Sequence, residues 1–260
     1  MRLFFIRHGD PDYENDTLTQ KGIREVECLS NYIHNLGIDK AYQSPLGRAR
    51  KTAEYSLEKL GMEADTLDWL KEFPALYDPN LLPDANDAYR TELTKDSESG
   101  TYNKRIVWDI LPSYYAVHPE LFGRDSWRNC RLVKNSNMIE VYDKVRKSFL
   151  ELLAEYGYET SGDVFRVEKG NDKKLAFFCH FGITSVLMSV LFNISPFVPL
   201  QFMAMAPTSV TEIVTEEREN KIAIFRALRI GDITHLNMAN ENPSFSARFC
   251  EMYENMDERH

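Results

Sequence analysis

The chain has 260 residues, and its composition already excludes several classes of protein. At roughly 150 residues per domain, this length suits one large α/β domain or one domain that carries an insertion. Apolar residues make up 43% and charged residues 27% of the chain, which excludes intrinsic disorder and a collagen-like fibre. Acidic residues outnumber basic ones by 40 to 31, so we expect no general nucleic-acid-binding surface.

The cysteine content and the first residues indicate a reducing compartment. Four cysteines are too few for a disulfide scaffold, and no CxxC pair suggests a zinc site. The apolar run at 3–6 is too short for the core of a signal peptide or for a membrane span. We therefore expect a soluble cytoplasmic protein that binds neither membrane nor nucleic acid and needs no cofactor.

Short apolar runs and helical spacings follow one another along the first 75 residues. The first run, 3–6, has no polar residue and predicts a strand that is buried on both faces, as in parallel sheets. Thr19 is a suitable N-cap for the first helix, and Gly37 a suitable stop. The further predicted elements are strands at 38–43 and 63–67 and helices at 19–37 and 48–60.

The regular pattern stops after Phe73 and returns at Met138. Residues 76–137 contain scattered prolines and charges, yet they are rich in aromatic residues. A plain linker would not hold so many aromatics, so we predict an insertion with a local fold of its own. The elements predicted beyond it are a helix at 138–156, a strand at 175–179, a helix at 183–192, and an antiparallel pair at 209–215 and 222–229 joined by a charged turn at 216–221.

Two of the predicted strands end in a histidine that is followed closely by glycine. His8 and Gly9 follow the strand at 3–6, and His180 follows the strand at 175–179. Ligands of open parallel sheets collect beyond the carboxyl ends of the strands, so we expect both histidines to face one cavity. A glycine at such a position lets the backbone come close to a ligand.

Arg7 and Arg48 favour phosphate over metal at this cavity. A guanidinium beside a metal-ligating histidine would repel the cation, whereas it binds a phosphate through a forked pair of hydrogen bonds. Arg48 follows a third strand end, where a helix N-terminus also attracts anions. A neutral imidazole is a competent nucleophile toward phosphorus near pH 7. The residues alone leave open a packing role for the histidines and a solvated basic face at 48–51.

Three stretches together resemble the histidine phosphatase superfamily, in the branch (branch 1) that contains the cofactor-dependent phosphoglycerate mutases. They are Arg7-His8-Gly9, the string Ser44-Pro45-Leu46-x-Arg48-Ala49-x-x-Thr52-Ala53, and Cys179-His180-Phe181-Gly182. The resemblance implies an α/β three-layer sandwich with a mostly parallel central sheet flanked by helices. Residues 1–75 and 138–260 would form this core, and residues 76–137 would be an inserted cap or lid.

The resemblance also implies a role for each matching residue. His8 would form the phosphohistidine, and Glu72 falls where this branch keeps its proton donor. The phosphate oxygens would be held by Arg7, Arg48 and His180. The further candidates for the pocket are Gly9, Asn15, Thr17 and Phe181, and no residue is assigned to a metal. The sequence departs from the family at Asp10-Pro11, where an acid or amide followed by threonine is common, and at Phe181, where a glycine is common.

The residues around the proton-donor position, Glu72, differ between two reactions of this family. The mutases typically show Glu-Arg-His-Tyr-Gly, whereas this chain has Lys71-Glu72-Phe73-Pro74-Ala75. We therefore predict a metal-independent phosphomonoester hydrolase that acts on a small phosphorylated metabolite. The alternatives are mutase-type phosphoryl transfer, a phosphate-binding module without turnover, and a metal hydrolase that uses His8, His180 and a carboxylate such as Asp10.

The insertion at 76–137 begins directly after the stretch 71–75 that contains Glu72. This position suits a segment that covers the pocket mouth and selects the substrate. Its stretch 121–134 is basic, and either steers an anionic substrate or is a solvated surface. Its aromatic residues Trp127, Tyr114 and Tyr115 either clamp a leaving group or form a small core.

Overall fold

Twelve short strands and eight α-helices make up the part of the chain that the structure, a computed structural model, describes: residues 1–81, 87–89 and 92–245. The strands are β1 (Arg2–Arg7), β2 (Pro11–Asp12), β3 (Thr17–Leu18), β4 (Lys40–Gln43), β5 (Ala64–Thr66), β6 (Leu76–Tyr77), β7 (Arg105–Ile106), β8 (Glu159–Ser161), β9 (Val164–Arg166), β10 (Lys174–Cys179), β11 (Val210–Glu219) and β12 (Ile222–Asp232). The α-helices are α1 (Gln20–Tyr32), α2 (Gly47–Glu58), α3 (Pro112–Ala116), α4 (Arg131–Lys134), α5 (Met138–Glu155), α6 (Phe181–Phe192), α7 (Phe197–Phe202) and α8 (Thr234–Ala239). Short 3-10 helices lie at Ile33–Leu36, Asp68–Leu70, Pro119–Phe122 and Ser126–Asn129.

Eight of the strands form one mixed central sheet in the order β5-β4-β10-β1-β11-β12-β9-β8. The first four in this order pair in parallel, and the remaining neighbours pair in antiparallel fashion. Only β11 and β9 therefore run against the other six strands of this sheet. The predicted α/β class, with a mostly parallel sheet flanked by helices, is confirmed.

The central strands β1 and β10 are buried along their length, as their unbroken apolar sequences predict. Residues 3–6 and 175–178 are each at most 2% exposed. Burying one such aliphatic or aromatic side chain contributes about 1.5–3 kcal/mol, so these two strands anchor the sheet. Arg7 is in register with Cys179. The residues that follow them, His8 and His180, therefore lie side by side just beyond the ends of the two strands.

The first helix begins and ends at the predicted residues. The side chain of Thr19 accepts a hydrogen bond from the backbone N–H of Gly22, which caps α1. After α1 the chain continues as the 3-10 helix Ile33–Leu36, and Gly37 then ends it with φ +60°. This is the left-handed region, in which glycine is the least strained residue.

The predicted charged turn at 216–221 is wrong in its extent. β11 continues to Glu219, and the hairpin closes through Asn220 and Lys221, of which Lys221 has φ +63°. The charged side chains at the end of this hairpin are largely exposed. An antiparallel ribbon with solvent on its faces accepts charges that a buried strand would exclude, and a pattern of apolar residues therefore underestimates its length.

The chain divides into two compact units. The sheet unit consists of Met1–Glu72, Leu153–Thr184 and Ala204–His260, and the helical unit consists of Phe73–Leu152 and Ser185–Met203. The sheet unit contains the eight-stranded sheet, α1, α2 and α8. The helical unit contains α3, α4, α7, and the small sheet of β6 and β7.

The helical unit has an aromatic core of its own. Trp127 is 1% exposed and packs edge-on against Tyr142, with ring centroids 5.0 Å apart, and near Phe197. Tyr114 is buried as well. These contacts favour the core role of Trp127 and Tyr114 over the substrate clamp. Within the described ranges, no helix is both long enough and apolar enough to cross a membrane.

Candidate active site

Two histidine rings lie against each other beyond the carboxyl ends of β1 and β10. The ring centroids of His8 and His180 are 5.0 Å apart, with an angle of 58° between the ring planes. Both residues are almost fully buried, at 1% and 0% exposure. The backbone N–H of His8 donates to the carbonyl of Cys179, so the parallel pairing of the two strands continues up to the rings.

The ring of His8 has a defined tautomer. Its Nδ1 lies 2.7 Å from the carbonyl oxygen of Gly9. A carbonyl oxygen only accepts hydrogen bonds, so Nδ1 carries the proton and donates. The lone pair of the neutral ring is then on Nε2, which is the atom available for nucleophilic attack.

The ring of His180 is held by a serine. Its Nε2 lies 2.8 Å from Oγ of Ser44, a fully buried residue at the end of β4. The Ser44 oxygen also accepts from the backbone N–H of Leu46. The hydroxyl can either donate to this ring nitrogen or accept from it, and in both cases the bond holds the ring in place. Nδ1 of the same ring is buried and makes no hydrogen bond with the described residues.

Burial and positive charge keep both imidazoles neutral. Burial lowers the pKa of His8 well below its usual 6.5, and Arg7 and His180 lower it further. Burial, Arg48 and Arg7 lower the pKa of His180 in the same way. Both rings are therefore uncharged at pH 7, which leaves one as a nucleophile and the other as a neutral hydrogen-bond donor.

Arg7, the last residue of β1, is 3% exposed and fixed at one end. Its Nη1 donates to the carbonyl of Met205 at 2.6 Å. Burial lowers the pKa of Arg7, whereas Tyr13 and the carboxylates of Glu72, Glu25 and Asp10 raise it. The guanidinium thus lies among acidic groups of the sheet unit and close enough to His8 to affect its titration.

Arg48 in the first turn of α2 is oriented by Asp16. Its Nη1 donates to one carboxylate oxygen of Asp16 at 2.7 Å, and the other oxygen accepts from the backbone N–H of Gly47 at 2.6 Å. The guanidinium also lies 5.3 Å from the ring centroid of Tyr13, an exposed residue. The carboxylate supplies the cap that α2 lacks from its own N-cap residue, Leu46.

Glycine at position 9 is predicted to let the backbone approach a ligand, but the structure shows a different close contact. A Cβ on Gly9 would lie 2.9 Å from the carbonyl oxygen of Gly22 and 2.9 Å from a methyl of Val26. The close approach is thus to helix α1. The N–H of Gly9 donates to Thr52 Oγ1 in α2. This bond joins the segment that follows His8 to the helix that contains Arg48.

The proton-donor candidate Glu72 lies in the sheet unit and is partly buried. One of its carboxylate oxygens accepts from the backbone N–H of Ile183, in the first turn of α6. The same turn begins with Phe181, which follows His180 and is 8% exposed. Glu72 and His180 are thereby tied to the same helix start.

Asn15 and Thr17 make no hydrogen bond with His8 or His180 among the contacts of the described residues. The exposed Asn15 donates its amide to Asp12 at 2.8 Å. Both residues line a surface groove of about 950 Å³ that runs along α2, and neither histidine is among the described residues that line it.

Ser44, Asp16 and Tyr13 are site residues that the sequence reasoning did not select. Ser44 opens the family-like string and follows a strand, so its position carried a signal that could have found it. Asp16 and Tyr13 lie in the turn between β2 and β3, and only the tertiary structure places them beside Arg48.

The sulfur beside the site is unreactive. Cys179 is fully buried, and its sulfur lies 3.2 Å from the hydroxyl of Thr184. Burial raises the pKa of Cys179 to about 12, so the thiol is protonated at neutral pH. Two neutral imidazoles, with two guanidinium groups whose charges act on them, are an arrangement that suits a tetrahedral anion.

Comparisons with known proteins agree with the motifs. Residues 3–98 match the family model "Histidine phosphatase superfamily (branch 1)", which confirms the resemblance of the motifs in this part of the chain. No curated protein sequence matches the chain.

Solved structures share the fold at low sequence identity. A mutant phosphoserine phosphatase from Entamoeba histolytica, in complex with phosphoserine, has a TM-score of 0.56 and 15% identity, and the match covers 90% of this chain and 98% of that one. A mycobacterial glucosyl-3-phosphoglycerate phosphatase has a TM-score of 0.51 and 17% identity, over 87% and 96% of the two chains. The alpha-ribazole phosphatase from Shigella flexneri has a TM-score of 0.52 and 17% identity, over 89% and 97%.

Proposed function

We propose that this chain, whose residues 3–98 match the histidine phosphatase superfamily, hydrolyses phosphomonoesters of small metabolites through a phosphohistidine on His8. One observation carries the proposal. The neutral rings of His8 and His180 lie 5.0 Å apart, and the charges of Arg7 and Arg48 act on them.

The first half-reaction transfers the phosphoryl group to the enzyme. Nε2 of His8 attacks phosphorus, the N–P bond forms, and the bond from phosphorus to the leaving oxygen breaks. Arg7, Arg48 and the Nδ1–H of His180 hold the remaining phosphate oxygens, whose negative charge needs cations and donors. Glu72 gives a proton to the leaving oxygen, so the alcohol departs in its neutral form.

The second half-reaction returns the enzyme to its starting state. Glu72, now a carboxylate, takes a proton from a water molecule as the water attacks the phosphorus of phospho-His8. The N–P bond breaks, inorganic phosphate forms, and His8 regains its lone pair on Nε2. The carbonyl of Gly9 keeps the Nδ1 proton in place throughout, so the correct nitrogen remains reactive.

Two considerations support a small phosphorylated metabolite as the substrate and hydrolysis as the reaction. The structures that share the fold include complexes with phosphoserine and with 3-phosphoglyceric acid, both small phosphorylated acids. The stretch Lys71–Ala75 lacks the Arg-His-Tyr triplet that is typical of the mutases. We propose that the guanidinium groups supply the positive charge of the site and that no metal is needed.

We further propose that the insertion 76–137 selects the substrate. Arg128 is engaged in an ion pair with Asp143 and stacks on Trp127, so it is a poor candidate for substrate steering. Arg124, whose side chain is 48% exposed beside Asp125, and Arg131 are more open to solvent. Replacing these two by alanine should raise KM for phosphometabolites that carry a second anionic group and leave KM for a small aryl phosphate unchanged. A double variant that keeps the native KM for both kinds of substrate would contradict this role.

The test of the main proposal is phosphate release from an aryl phosphate and a panel of phosphometabolites, with a metal chelator present. We expect turnover by the native protein, a loss of at least about 10³-fold in His8→Ala, and no change in His34→Ala, a control at an exposed histidine. After rapid acid-free quenching, phosphate from labelled substrate should remain on the native chain and not on His8→Ala.

Each alternative function predicts a different result. Phosphate binding without turnover across the panel would indicate a binding module. Activity that disappears with the chelator would indicate the metal hydrolase. Transfer of label to a second hydroxyl of the substrate without phosphate release would indicate a mutase.

A further inference from the structure

The helical unit contains a group of three metal-binding side chains that lies outside the proposed catalytic set. His118, Glu120 and Cys130 each present one ligand atom, and these three atoms lie within 4.8 Å of one another. We propose that this group is a zinc site, completed by a water molecule in the fourth position.

The distances suit one small divalent ion. Nδ1 of His118 lies 2.9 Å from a carboxylate oxygen of Glu120. Two ligands that each bind zinc at about 2.0–2.2 Å in tetrahedral geometry are a little more than 3 Å apart, so a small displacement admits the ion. The sulfur of Cys130, which forms longer bonds to zinc of about 2.3 Å, lies within 4.8 Å of both other ligand atoms.

The donor types select zinc among the common divalent cations. Magnesium and calcium prefer oxygen ligands only, whereas zinc accepts sulfur, nitrogen and oxygen together. The three residues are His118-x-Glu120 and Cys130, a spacing that does not match the usual CxxC pattern. The sequence alone therefore gives no sign of the site, and the fold brings the three together.

Cys130 offers its sulfur in a sheltered position. The residue is fully buried, and the hydroxyl of Tyr114 lies 4.0 Å from its sulfur. Zinc would displace the thiol proton on binding, and the bound thiolate would then be shielded from solvent.

The other two ligands leave one side of the site open. The side chains of His118 and Glu120 are 29% and 32% exposed, so a water molecule can reach the fourth position. His118 and Cys130 are separated by two 3-10 turns, Pro119–Phe122 and Ser126–Asn129. A bound ion would therefore fasten these turns together and stabilise the basic stretch of the insertion.

The test uses the full chain, stripped with a chelator and dialysed against zinc. We expect about one zinc ion per chain, and at least about tenfold weaker binding in Cys130→Ser and in Glu120→Gln. Cys28→Ser and His8→Ala should bind zinc as the native chain does. With cobalt in place of zinc, a thiolate-to-metal charge-transfer band should appear in the native chain and be lost in Cys130→Ser.

Two results would overturn the proposal. One is a native chain that retains no zinc after dialysis, and the other is equal retention by Cys130→Ser and the native chain. Because Cys130 is buried and its replacement can disturb folding, His118→Asn and Glu120→Gln, at half-exposed positions, give the same test with less risk. Unchanged zinc binding in both of them would also reject the site.

Discussion

The hydroxyl of Ser44 and the ring of His180 form a hydrogen bond of 2.8 Å between two fully buried side chains. This bond joins the end of β4 to the end of β10, which are neighbours in the sheet. It fixes the position and the orientation of the ring. Ser44 therefore acts through His180 as a positioning residue.

We expect Ser44→Ala to lower kcat/KM by about 10–100-fold, because a displaced His180 no longer faces the phosphate oxygen. The free energy of unfolding should fall by about 1–3 kcal/mol, because Leu46 and His180 lose a buried partner. Steady-state kinetics and urea unfolding measure the two effects. The matched control is Ser56→Ala, a buried serine whose hydroxyl makes no hydrogen bond with the described residues. Equal kinetics in both variants would contradict the role of Ser44.

Glu72→Gln separates proton donation from structure. The amide oxygen of glutamine can still accept from the N–H of Ile183, so we expect α6 to be retained. Because a good leaving group needs no proton, the variant should lose about 10²–10⁴-fold in kcat with alkyl phosphates and far less with a nitrophenyl phosphate. The comparison of kcat on the two substrates is the measurement. An equal loss on both would show that Glu72 is not the proton donor.

Asp16→Ala removes the group that orients Arg48. We expect KM for phosphate esters to rise by about 3–10-fold with a smaller change in kcat, because a freely rotating guanidinium binds the phosphate less well. Asp12→Ala is the matched control, since that carboxylate bonds only the loop around Asn15 among the described contacts. A variant of Asp16 that keeps the native KM would mean that Arg48 needs no such partner.

Stability should decrease as the pH falls below about 6.5. The pKa values of His8 and His180 lie well below 6.5, and that of His235 is lowered by burial to about 4. The unfolded chain takes up protons at these residues near pH 6.5 while the folded chain does not, so each histidine lowers the free energy of unfolding by about 1.4 kcal/mol per pH unit below that point.

The raised pKa values of Glu25 and Asp109, both caused by burial, act in the opposite direction, but two carboxyls oppose three histidines. Urea midpoints at pH 8, 7, 6 and 5 measure the slope, which should become steeper below pH 6.5; above pH 7 only the buried N-terminal amine, whose pKa is also lowered, contributes. In His235→Gln the free energy of unfolding should fall less steeply below pH 6.5, by about 1.4 kcal/mol per pH unit, because one proton fewer is taken up on unfolding. A midpoint that stays constant from pH 7 to pH 5 would contradict the burial of neutral histidines.

Gly47→Ala tests the packing of α2 against the turn that contains Asp16. A Cβ at this position would lie 2.1 Å from the carbonyl oxygen of Asp16, so the loop must move. We expect a loss of about 1–3 kcal/mol in the free energy of unfolding, together with a raised KM. Gly61→Asn is the control, because Gly61 has φ +62° and no atom within 4 Å of its Cβ position, and asparagine tolerates this conformation. Equal stability of the two variants would contradict the close contact.

The sequence by itself determined the strands that carry the site. The short apolar runs at 3–6 and 175–179 indicate buried strands, and a histidine within two residues of the end of each run is thereby placed at the edge of the sheet. The same holds for Arg48, whose place at a helix start follows from the strand and the proline before it. The local order of apolar and polar residues fixes such positions, because each depends only on near neighbours in the chain.

The tertiary structure alone decided which side chains support these residues. Asp16 reaches Arg48, Ser44 reaches His180, and Cys130 joins His118 and Glu120, across 32, 136 and about 10 residues of sequence. No periodicity marks these partners, since a loop residue or a lone polar side chain looks the same in sequence whether it faces solvent or a buried charge. Their meeting depends on strand order and loop path, which arise from packing of the whole chain.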